Sequence, residues 1–157
     1  MTDVPDYLKD FAQIRLIGPD GEIEVVWAIV FGNYFRVRDY PLYAIGISRL
    51  DIIEATKVAP QDWNGLGTAG SAGVFEFVRV HTPSGIRVLR ILFDSPMDEE
   101  SRTDLLDHLE TMNCEYGGNE HRLSVGVPPK ASIDDVRAYL DACGFRWEDA
   151  NPVDQVA

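Results

Sequence analysis

The chain has 157 residues, of which 45% are apolar. That is an ordinary share for a folded protein, and the length suits one full domain or two small lobes burying roughly 68–70% of the surface that the unfolded chain exposes. The formal net charge of −12 repels phosphate backbones and argues against nucleic-acid binding, which rests on clustered Lys and Arg.

No stretch approaches the roughly 20 apolar residues of a membrane span. The opening Met1-Thr-Asp-Val-Pro-Asp lacks the charged-then-apolar layout of a secretory signal. The expectation is a cytoplasmic protein with no membrane contact, in which Cys114 and Cys143 stay free thiols.

Residues 1–11 read as a lead-in, with Tyr7 and Leu8 tacked onto the body. Residues 13–17 alternate, with Ile14 and Leu16 on one side and Arg15 on the other, which predicts a short strand. Gly18-Pro19-Asp20-Gly21 is a turn. The run 22–31 places Ile23, Val25, Trp27, Ile29 and Phe31 on one face and Glu22, Glu24, Val26, Ala28 and Val30 on the other. It predicts a strand that is solvated at its start and buried on both faces later. Gly32-Asn33 is a two-residue hairpin turn into a strand over 34–39.

Residues 39–55 are the most distinctive stretch: Pro41 stops one strand, Gly46 allows a positive φ, and a β-branched run restarts at Ile52. They predict a corner carrying two tyrosines, an arginine and an aspartate, followed by a strand over 52–58. Residues 59–73 form a long Gly-rich loop expected to be disordered, with Trp63 as an apolar anchor at one end. Strands over 74–80 and 86–93 are expected to make a hairpin across residues 81–85.

In the second half, Ser95 or Asp98 can cap a helix beginning near Pro96, with Leu105, Leu106, Leu109 and Met112 as its apolar stripe. A short edge strand over 114–117 and a strand over 121–127 follow. Ser132 with Asp135 resembles a capping box for a helix whose buried face is Ile133, Val136, Leu140 and Cys143, ended by Gly144. Residues 145–148 make a last short strand, and the tail over 150–157 is expected to fray. The predicted fold class is α+β: an antiparallel β-barrel-like lobe over 12–85, then a βαββαβ lobe over 86–149 of the ferredoxin-like kind.

Trp27, the run Tyr34-Phe35-Arg36-Val37 followed by Tyr40-Pro41-Leu42-Tyr43-Ala44-Ile45-Gly46, the run Arg49-Leu50-Asp51-Ile52-Ile53-Glu54-Ala55, and the later Val127-Pro128-Pro129 together resemble the bacterial family catalogued as domain of unknown function 4265. The resemblance covers most of 22–148 and implies a fold without naming a reaction. Leu50 stands where the family usually has Gly before the Asp, and of its Ser-Gly-His-Ser-Thr-x-Arg hairpin only Ser84, Gly85 and Arg90 are present.

Chemistry-bearing residues are sparse. His81, His108 and His121 share no metal-ligand spacing, so no metal or cofactor is expected. A Cys114–His121 nucleophile pair has no third group placed to orient it, and no nucleophile elbow or phosphate-binding loop appears. The acidic runs at 98–100 and 134–135 sit at helix starts, where the helix dipole accounts for them. Arg90, on a central strand, is expected to turn inward and to need a carboxylate or backbone carbonyls, with Asp51 as its expected partner in a bridge between lobes.

Two functions follow. The first is a non-catalytic interaction protein whose acidic surface recognises a basic protein partner, as an inhibitor or immunity-type protein does against a basic toxin. The alternative is a small-molecule-binding domain or enzyme with its site between the lobes, where Tyr43, Arg49, Asp51 and Arg90 would converge.

Overall fold

The computed structural model describes residues 10–64, 66 and 72–150. The lead-in over residues 1–9, Gly65 and residues 67–71 of the Gly-rich loop, and the tail over 151–157 lie outside the described residues. Among the described residues nine strands and two α-helices make an α+β fold with two sheets.

Alternating apolar residues in the first half give five strands: β1 (Phe11–Ile17), β2 (Ile23–Phe31), β3 (Tyr34–Val37), β4 (Ile52–Lys57) and β5 (Val74–Thr82). They pair in chain order as a closed ring. Neighbours in that order are antiparallel, and the ring shuts where β1 lies parallel to β5 from Gln13↔Val74 to Arg15↔Glu76. Alternate residues point inward, so Ala12, Ile14 and Leu16 of β1 meet Val26 and Ala28 of β2, Val37 and Ile53 in one core.

Two expectations fail here. The late part of β2 is not buried on both faces: Ile29, Val30 and Phe31 are exposed, and only Val26 and Ala28 of the strand are fully buried. Among the described residues no layer covers the outside of the ring at β2, so one face of an apolar run is left open. Nor do β5 and the next strand form a hairpin. Both edges of β5 are already taken, by β4 and by β1, so the chain must leave for the second sheet.

That sheet contains β6 (Arg87–Leu92), β7 (Glu115–Gly118), β8 (Arg122–Val127) and β9 (Arg146–Asp149), in the order β7-β8-β6-β9 and antiparallel throughout. Helices α1 (Glu99–Thr111) and α2 (Ile133–Ala142) supply one core with the sheet, where Leu105, Leu109, Val136 and Leu140 meet Leu89, Ile91, Leu123 and Val125. Asp98 caps α1 by accepting from the Ser101 N–H at 2.8 Å, and Ser132 caps α2 by accepting from the Asp135 N–H at 3.2 Å. Cys143, expected on the buried face of α2, is exposed, because it falls at the C-cap where the last turn leaves the sheet. Ala150, placed at the head of the tail, is instead buried, and its N–H donates to Val88 O.

Candidate functional site

Residues 38–51 join β3 to β4 without helix or strand. Such a segment must find partners for its backbone groups elsewhere, and the carboxylates of Glu24 and Asp51 accept four of its N–H donors. Glu24 of β2 takes three in a row, from Leu42 at 2.8 Å and from Tyr43 and Ala44 at 2.7 Å each. An ionised carboxylate has about four lone-pair sites, so it can hold such a nest of amides. Asp39 accepts from the Trp27 N–H, and Asp51 accepts from the N–H groups of Ser48 and Ser84. Burial raises the Asp51 pKa, and the amides of Ser84 and Ser48 pull it back down. Gly46 sits at φ 86°, and so, less comfortably, does Leu50 at 70°.

The corner's carbonyls are held from the second sheet. Arg90 of β6 is fully buried, and its Nη2 donates to Pro41 O at 2.9 Å and Ala44 O at 3.0 Å. Its Nε reaches Ser124 Oγ, which itself donates to Pro41 O at 2.6 Å. Its Nη1 lies 3.5 Å from Glu148. Burial lowers the Arg90 pKa, with Glu148 and Glu24 opposing. The inward turn expected for Arg90 is therefore present; backbone carbonyls take its Nη2, while among the described residues Nη1 is buried without a hydrogen bond and has only the ion pair with Glu148. Asp51 is not its partner, because both Asp51 oxygens already serve main-chain amides on the β4 side of the corner.

Tyr43 is half-buried with the Arg122 guanidinium 4.3 Å above its ring, and that arginine also reaches Leu42 O. Tyr40 lies across the strands of the second sheet. A Cβ on Gly126 would run into its hydroxyl, so only glycine permits this close approach. The Tyr40 hydroxyl donates to Glu115, and burial first, then that acceptor, push the phenol far above its ordinary range. Arg49 donates from Nε to Arg38 O and from Nη1 to Glu115.

Beside these contacts a cleft of about 460 Å³ opens between Arg38, Asp39, Tyr40, Leu42 and Arg49 on the corner and the whole of β7. Of the four side chains expected to converge, only Arg49 lines it; Tyr43, Asp51 and Arg90 are spent in holding the corner. Sequence reading passed over Glu24, Arg38 and Glu115. A lone carboxylate at the start of an otherwise apolar strand was the available sign for Glu24.

The remaining reactive groups are scattered. His81 packs on Tyr34, His108 stacks on Tyr139, and His121 is exposed. Cys114 is buried, which pushes its thiol up to about 11 and leaves little thiolate at neutral pH. Among the described residues no group of three or more His, Cys, Asp or Glu is placed to hold a metal ion. Among them, too, no helix is long and apolar enough to cross a membrane.

A solved structure of a hypothetical protein from Neisseria gonorrhoeae is similar in fold, with a TM-score of 0.62 at 19% identity over 90% of this chain and 94% of that one. Comparison with curated proteins finds none that matches. The family model described as Domain of unknown function (DUF4265) matches residues 24–146, so the chain belongs to that family.

Proposed function

We propose that the chain is a non-catalytic interaction protein of the bacterial cytoplasm, and that its helical layer docks on a basic protein partner in the manner of an inhibitor or immunity-type protein. The uneven distribution of charge carries this reading. Residues 86–150 contain 14 acidic and 7 basic residues, against 9 and 6 in residues 10–85. On α1 five carboxylates accompany one arginine, and on α2 three accompany one. A field of one sign on one layer steers encounter with the opposite sign. We also read the lobes as a small barrel and a ferredoxin-like sandwich, a reading that the β7-β8-β6-β9 order supports.

The test is capture of a partner at low and high salt, by wild type and by the triple variant Glu100→Gln, Asp104→Asn, Asp107→Asn. A partner lost at high salt and lost by the variant supports the reading. Capture that ignores both salt and the variant, or no partner, counts against it.

A second reading places a small molecule between the lobes. It is favoured by the cleft of about 460 Å³ beside Arg49, a volume inside the usual range of roughly 300–1,000 Å³ for ligand sites.

A further inference from the structure

The wall of the cleft is the free edge of a sheet. Among the described residues β7 pairs with β8 alone, in the register Glu115↔Gly126 to Gly118↔Leu123, and the ladder continues as the Asn119 N–H donates to Arg122 O at 2.8 Å. Backbone groups along an antiparallel strand face alternate sides. With Asn119 turned toward β8, Gly117 and Glu115 are turned the same way, and the N–H and C=O of Tyr116 and Gly118 face outward. Among the described residues no hydrogen bond takes these outward groups.

Edge strands are commonly blunted by Lys, by Pro, by a bulge or by a covering segment. β7 is short, four residues of sequence Glu-Tyr-Gly-Gly, but it carries no Lys, Pro or bulge. Two of its residues carry no side chain, and the carboxylate of Glu115 is turned aside to Tyr40 and Arg49.

The opposite wall carries two arginines, Arg38 and Arg49, beside one carboxylate, Asp39, which accepts from the Trp27 N–H. Arg38 is exposed, its guanidinium lies 5.2 Å from the centre of the Phe11 ring, and among the described residues no carboxylate pairs with it. Most arginines of this acidic chain are paired, so an unpaired one in a cleft marks where negative charge is wanted. Arg49 lines the same wall and keeps one guanidinium nitrogen clear of the two bonds it makes.

We propose that β7 accepts an extended acidic peptide from a partner protein as an added strand. Main-chain bonds to Tyr116 and Gly118 would supply the grip, and carboxylate side chains on alternate residues would face Arg38 and Arg49. The site is separate from the acidic helical layer, and its occupant is an extended chain in place of a small molecule.

The test selects octapeptides from a random displayed library on the immobilised full chain and measures the best of them by calorimetry. Enriched octamers should carry Asp or Glu at alternate positions. Methylating backbone nitrogens in one alternate register should weaken binding at least tenfold, whereas the other register should change it little. Arg38→Glu, on an exposed residue, should weaken it by about tenfold without altering the fold, and the amide signals of Tyr116 and Gly118 should shift on titration. The proposal is overturned by no enrichment, by equal tolerance of methylation in both registers, by indifference to Arg38→Glu, by displacement with free acetate alone, or by a second copy of the chain on the β7 edge in sedimentation. The helix-layer variant should bind the selected octamer like wild type, so failure here and failure of the acidic-layer reading are separable.

Discussion

The two faces of the second sheet are built by alternate residues of the same strands, yet they hold their neighbours by different means. On one face Leu89, Ile91, Leu123 and Val125 meet the helices with side chains that carry no polar atom. On the other, Arg90, Ser124 and Glu148 share a register; Arg90 and Ser124 donate to main-chain oxygens of the corner, and Glu148 lies 3.5 Å from the Arg90 guanidinium. The first face tolerates any well-shaped apolar filling. The second accepts one arrangement, because a buried guanidinium without its acceptors is costly.

Substitutions can break this contrast. Arg90→Ala removes the donor that holds Pro41 O and Ala44 O and is expected to cost about 3–5 kcal/mol in urea unfolding. Arg90→Met restores the volume without the donors and should recover only part of that loss. If it recovers everything, the polar face is no more specific than the apolar one. Gly126→Ala drives a methyl group into Tyr40 and should cost about 1–3 kcal/mol. Adding Tyr40→Ala should make the pair less than additive, as a double-mutant cycle would report.

Glu24→Gln leaves one oxygen for three amides and should cost about 1–3 kcal/mol, read from the same unfolding curves. Leu50→Gly works in the opposite direction. A left-handed Leu costs roughly 1–2 kcal/mol, and after the entropy that Gly adds to the unfolded chain the variant should gain about 0.5–1 kcal/mol. The last effect sharpens the apolar side. At pH 8 a thiol reagent should label Cys143 at once and Cys114 only as the fold opens. Because burial raises the Cys114 thiol from 9.0 to about 11, the fold favours its neutral form. The Cys114 contribution should therefore be lost as pH climbs from about 9 toward 11, and Cys114→Ala should remove that part of the fall while leaving the loss that the raised Tyr40 phenol adds at higher pH.

Much of the fold was legible because period-two and helical spacing record which side of an element is buried. The strands of both sheets, the caps Asp98 and Ser132, and the inward turn of Arg90 all follow from such local signals. The partners of Arg90 do not. Pro41 O and Ala44 O are main-chain atoms, 49 and 46 residues away, and every residue type has one. The apolar alternation of β2 likewise reads the same whether or not a layer covers the ring. The expected β5–β6 hairpin relied on nearness in sequence, and only the closure of the ring, between strands distant in sequence, forbids it. A cleft between the lobes was expected, but most of its lining was not, for a related reason: one wall is an edge of backbone amides, to which side-chain patterns are blind.

The dependence of the corner on Arg90, Ser124 and Glu148 also has a temporal side. A ribosome delivers the five ring strands first, then needs on the order of seconds, at roughly 5–20 residues per second, to deliver the groups that clamp residues 41–44. During that interval the nascent ring carries an unlatched loop, and the latch closes only after residue 148 has been made.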